Sequence, residues 1–164
     1  MNNKKRSSAL KCVTVLLLVL FAGCSTGKQF TKEGLTITLS PSFTDETDSG
    51  YTTDATFFYT SRSCAVIGTR DDRASLEALV GPLTLESYGS LIIDLNGTNS
   101  ILSQVDGMYI FDYEATTEGL SYTYLSAVYE SDDAFWLVQV YCGTEKYESQ
   151  YDTMLGYLKS VTIS

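Results

Sequence analysis

The spacing of apolar positions changes several times along the chain, and each change marks a new element. Leu35, Ile37 and Leu39 alternate with Thr36 and Thr38, the two-residue period of a strand with one buried face. Pro41 ends that run, and the acidic, turn-rich stretch 44–54 is expected to be a loop. Residues 55–60 and 64–69 are short, aromatic and β-branched, joined by Ser61-Arg62-Ser63; they read as a hairpin. The spacing then becomes helical. Leu76, Leu79 and Val80 predict an apolar helix face stopped by Gly81-Pro82. Leu85, Tyr88, Leu91, Ile92 and Leu95 predict a second amphipathic helix ending at Asn96-Gly97.

Strands resume at 100–105. Asp106-Gly107 is a two-residue hairpin signal, and the returning run 108–115 places Tyr109, Phe111 and Tyr113 on one face. Further strands are expected at 120–130 and 134–142. Tyr147, Tyr151, Met154, Leu155 and Leu158 trace the apolar face of a last helix, and Val161 and Ile163 a short final strand. A strand, a hairpin, two helices, a four-strand meander, a helix and a strand make an α+β domain: an antiparallel β-sheet flanked by helices.

Three segments carry a resemblance to the PsbP-like fold family. They are Gly34-Leu35-Thr36-Ile37-Thr38-Leu39-Ser40-Pro41, Val105-Asp106-Gly107-Met108-Tyr109-Ile110-Phe111-Asp112-Tyr113, and Ala134-Phe135-Trp136-Leu137-Val138-Gln139-Val140-Tyr141-Cys142 with the final helix and Leu158-Lys159-Ser160-Val161. The likeness covers nearly all of 33–164. That family includes an extrinsic protein of photosystem II, a nuclear Ran-binding protein and many bacterial lipoproteins. The resemblance implies an antiparallel sandwich used to bind or assist other proteins, without a shared active site.

The first part of the chain has a different character. Lys4, Lys5, Arg6 and Lys11 precede an apolar run over 12–22, shorter than the roughly 20 residues a spanning helix needs. Leu20-Phe21-Ala22-Gly23-Cys24 resembles the bacterial lipobox. Residues 1–23 are therefore expected to be a removable signal, and Cys24 the site of lipidation. On this reading 24–33 is a lipidated Cys with a polar tether, and 34–164 a single α+β domain. The protein would sit in the cell membrane through lipid on Cys24, facing away from the cytoplasm. Ser25 is compatible with outer-membrane sorting if the host has two membranes.

Charge narrows the partners. Four of the eleven basic residues and none of the twenty acidic ones precede Cys24, which leaves 24–164 at a net −13. Such a surface repels nucleic acid and anionic lipid headgroups, so no nucleic-acid partner is expected; the lipobox implies the membrane as a partner through lipid on Cys24, and an envelope protein is the partner expected of an accessory module. The chain has no histidine, which removes Ser-His-Asp and Cys-His nucleophilic systems. No cofactor or metal is expected. Asp45, Glu46 and Asp48, Asp71-Asp72 and Asp132-Asp133 read as solvated turns and match no EF-hand loop.

Two features stay open. Cys64 and Cys142 form either a disulfide, closing a long loop worth on the order of 4 kcal/mol in the chain-entropy model, or two buried thiols. Tyr109, Tyr113, Tyr122 and Tyr124, with Tyr129 and Tyr141 on neighbouring strands, form either a packing ladder or an exposed ligand platform. The function expected is a non-catalytic, membrane-anchored accessory or protein-binding module. The alternatives are a module for cell-wall glycan or peptide, and a carboxylate-dependent hydrolase. An exposed cleft lined by tyrosines would favour the glycan or peptide reading, and two buried, facing carboxylates the hydrolase.

Overall fold

Glu33 and Gly34 both take positive φ, 48° and 90°, the two-residue turn whose twist suits a tight hairpin. They fold Lys28–Lys32 (β1) back on Leu35–Leu39 (β2), with Phe30 opposite Ile37. The computed structural model describes residues 27–52 and 54–164. The expected signal 1–23 and Cys24 lie outside them. The stretch 28–32, which the sequence pattern assigns to the polar tether, is instead a strand. Four of its five residues are polar and exposed, but Phe30 is buried and its ring lies 4.4 Å from that of Tyr59.

The chain continues through Thr44–Asp45 (β3), Phe57–Thr60 (β4), Ala65–Asp72 (β5), Arg73–Val80 (α1) and Leu85–Leu95 (α2). It closes with Ser103–Val105 (β6), Met108–Thr117 (β7), Leu120–Glu130 (β8), Ala134–Gly143 (β9), Tyr147–Lys159 (α3) and Thr162–Ile163 (β10). The expected hairpin is β4–β5 and the expected meander is β6 to β9. All pairings are antiparallel. Seven strands form one sheet in the order β3-β4-β5-β9-β8-β7-β6, and three form another in the order β1-β2-β10. The β4–β5 hairpin thus docks against the last strand of the meander, from Ala65 opposite Tyr141 to Asp72 opposite Ala134. This fold is α+β, an antiparallel sheet flanked by helices, as the sequence pattern predicts.

Each face of the large sheet has its own core. The inner face carries Val66, Leu125, Ala127, Trp136, Val138 and Val140. It packs on the small sheet through Leu35, Ile37 and Leu39, and on α3 through Met154 and Leu158. One glycine is needed here. Gly68 faces Phe57 across β4–β5, and a Cβ at Gly68 would run into the Phe57 ring.

The outer face is covered by α1 and α2 over one half. Tyr88 and Ile93 pack there on Phe111, Val128, Phe135 and Leu137. Tyr88 stacks on Phe135 with centroids 4.8 Å apart, and its hydroxyl donates to Asp71 at 2.7 Å. Arg73 lies over the Phe135 ring, 4.0 Å from its centroid, and pairs with Glu130 at 2.8 Å. Asp72 caps α1 by accepting from the Ser75 N–H, and Thr84 and Ser87 form a capping box on α2. The helix faces are narrower than the spacing predicts. Leu76, Ile92 and Ile93 reach the cluster, but Leu79 is 83% exposed and Leu95 72% exposed. Among the described residues, no helix is long and apolar enough to cross a membrane.

Candidate functional site

Side chains alternate across a pleated strand, so the register fixes which residues share the outer face. Tyr113 on β7 lies opposite Tyr124 on β8, and Tyr124 opposite Tyr141 on β9. Three tyrosines therefore stand in one row perpendicular to the strands. Tyr113 and Tyr124 stack with centroids 4.8 Å apart and planes 4° from parallel; Tyr124 and Tyr141 do so at 4.6 Å and 24°. Tyr122, two residues before Tyr124, meets Tyr141 edge-on at 5.9 Å. All four are half-buried. Tyr122, Tyr124 and Tyr141 lie outside both apolar clusters, past the half of the sheet that α1 and α2 cover.

The row is polar as well as aromatic. Gln139 donates from Nε2 to the Tyr113 hydroxyl at 2.9 Å and to Ser126 Oγ at 3.1 Å. Burial, then the neighbouring hydroxyls of Tyr141, Tyr113 and Tyr122, push Tyr124 up to about 12. Burial also raises Tyr113 and Tyr141. At neutral pH these rings are uncharged and their hydroxyls can both donate and accept.

Each end of the row opens on a hollow. Tyr122 and Tyr141 line a cavity of about 340 Å³ shared with Arg62, Leu120, Glu145 and Lys146. Tyr113 borders a second, more open hollow of about 550 Å³ walled by residues 96–101. Of the expected platform residues, the structure brings together Tyr113, Tyr122 and Tyr124 and adds Tyr141. It does not bring in Tyr109, which lies at the other end of β7, its hydroxyl 3.4 Å from Glu86 of α2. Tyr129 faces the inner core and donates to the Leu158 carbonyl at 2.8 Å. The pairing of β7, β8 and β9 is the signal that singles out Tyr141, and period-two alternation on each strand alone does not carry it.

The acidic clusters sit in turns and caps, except that Asp71, expected in a solvated turn, lies in β5 and accepts from the buried Tyr88. Asp45 accepts from the N–H and hydroxyl of Thr47, at 3.0 and 2.6 Å. Asp133 accepts from Ser131 and pairs with Arg70 at 2.6 Å; the Ser131 hydrogen bond comes first among the causes that hold its carboxyl low. Among the described residues the buried polar side chains are Thr123 and Ser126, so no pair of buried, facing carboxylates forms there. Cys64 and Cys142 are both buried, and their thiols are unjoined in this structure.

The architecture resembles that of cyanobacterial PsbP (CyanoP) from Synechocystis sp. PCC 6803, with a TM-score of 0.58 over 88% of this chain and 96% of that one, at 10% identity. It also resembles a protein from Bacteroides thetaiotaomicron VPI-5482, with a TM-score of 0.56 over 84% of this chain at 9% identity. The match covers 48% of that structure, so the chain spans about half its length. No family model and no curated protein sequence matches the chain. At such identities the likeness defines a fold and leaves the site to be argued from its own residues.

Proposed function

We propose that this chain is a non-catalytic binding module, held by lipid on Cys24 at the extracytoplasmic face of a membrane, that receives a basic segment of an envelope protein on its tyrosine row. The observation that carries this reading is the row itself: Tyr124, Tyr141 and Tyr122 stand on the part of the outer face that the helices leave uncovered, and Tyr113 joins them to the covered half. Tyrosine gives large contact area for little lost side-chain entropy, and it is enriched where interfaces are strongest. A basic partner follows from charge. The net −13 of 24–164 steers cationic surfaces toward the domain, and the tyrosine hydroxyls of the row can accept hydrogen bonds from Arg and Lys. The PsbP-like architecture agrees with a binding role.

The test is in-cell crosslinking of the full chain, with mass spectrometry of what it captures, against the variant Tyr124→Ser/Tyr141→Ser. One dominant envelope protein is expected with the native chain and at least a tenfold loss with the variant. Equal capture by both would place the contact elsewhere. Absence of any reproducible protein would turn attention to a second reading, a glycan or peptide ligand, which the 340 Å³ cavity at the end of the row favours.

A further inference from the structure

β5 and β9 pair with Ala65 opposite Tyr141. One step further along that register, Cys64 stands opposite Cys142. The Cys64 carbonyl points to the other neighbour, where it accepts from the Ser61 N–H at 3.0 Å. Toward β9, Cys64 therefore takes a non-hydrogen-bonded position, where facing Cα atoms are about 4.5 Å apart and side chains are closest. A disulfide spans Cα separations of about 4.4–6.8 Å. Residues directly opposed in an antiparallel pair share a face, and both thiols belong to the inner core, 5% and 2% exposed. Their other polar contacts are long: Cys64 Sγ to Ser63 Oγ at 3.8 Å, and Cys142 Sγ to Met154 Sδ at 3.8 Å. Both residues also line the cavity at the end of the tyrosine row, which gives a small reagent a route to them.

We propose that Cys64 and Cys142 are a cross-strand disulfide pair, joined across the β5–β9 edge by exchange with a donor disulfide. One cysteine, as thiolate, attacks a donor sulfur and releases the first donor thiol. The second cysteine then displaces the other donor half. Two Sγ–H groups become one Sγ–Sγ bond, the donor disulfide becomes two thiols, and both protons end on the donor. Burial pushes both cysteine thiols up, so exchange quickens as pH rises. The bond would fix the strands that carry Tyr141 and the cavity wall.

The full chain, reduced and then held in native buffer with oxidised glutathione, is quenched by alkylation in denaturant and digested with trypsin. Cleavage after Arg62, Arg70, Arg73 and Lys146 places the two cysteines in peptides 63–70 and 74–146. The expected product is those two peptides joined, two hydrogen masses lighter than their sum. Recovery of both peptides alkylated, or each carrying glutathione, would overturn the pairing. A second readout is thermal: reductant should lower the Tm of the oxidised native chain and leave C64S/C142S unmoved, and an equal response from both would also overturn it. Neither outcome depends on where the cell keeps the protein, so this pairing and the proposed anchoring fail separately.

Discussion

Tyr124 is held between two other rings and titrates accordingly. Its hydroxyl, pushed up to about 12, and that of Tyr59, also pushed up to about 12 by burial and then by Asp45, keep their protons in the folded chain. An unfolded tyrosine loses its proton near the ordinary value of about 10. Between about pH 10 and 12 the folded state thus binds more protons than the unfolded one, and stability falls as pH rises through that window. Below pH 10 the contribution is complete. The expected outcome is a tyrosinate absorbance step in the native protein that lags the denatured chain, and a smaller lagging step in Tyr124→Phe. Superimposable curves would contradict the buried row. These positions were partly legible in the sequence. Alternation puts Tyr109 and Tyr113 on one face, but it carries no information about what covers that face. Glu86 and its helix lie over Tyr109 and stop short of Tyr124.

At the level of elements, local signals read well and distant ones poorly. Asp106-Gly107 takes φ of 50° and 85° in a two-residue turn between Val105 and Met108, as its sequence implies. The meander that follows was legible because each strand pairs with its neighbour in the chain. β1 was not. A run with one apolar residue in five has no visible period, and Glu33-Gly34 is a weaker turn signal than Asp-Gly. What makes it a strand is the distant partner of Phe30, the Tyr59 ring. Likewise β10 is two residues that gain their place from β2, with Thr162 opposite Thr36. Phe30→Ala should cost about 3 kcal/mol in chemical denaturation if Phe30 belongs to the core. A tether residue would cost close to nothing.

For the whole molecule, the consequence lies in how early the first strand begins. If Cys24 carries the proposed lipid, a strand that starts at Lys28 puts only Ser25, Thr26 and Gly27 between the lipid and the sheet. At full extension the path from Cys24 to Lys28 is about 14 Å, less than half the thickness of a bilayer's hydrocarbon core. A domain so closely moored would search a thin layer above the lipid surface. Partners fixed in the same membrane would then meet it as if at millimolar concentration, so a contact too weak to survive in free solution would hold there. Inserting about twenty Gly/Ser residues after Thr26 should thin that layer's occupancy and reduce crosslinking to the partner severalfold, with the tyrosine row untouched. Unchanged crosslinking would mean that the contact is strong enough to need no confinement. The few residues between lipid and strand would then set where the protein lives, while the strength of its embrace would come from the row alone.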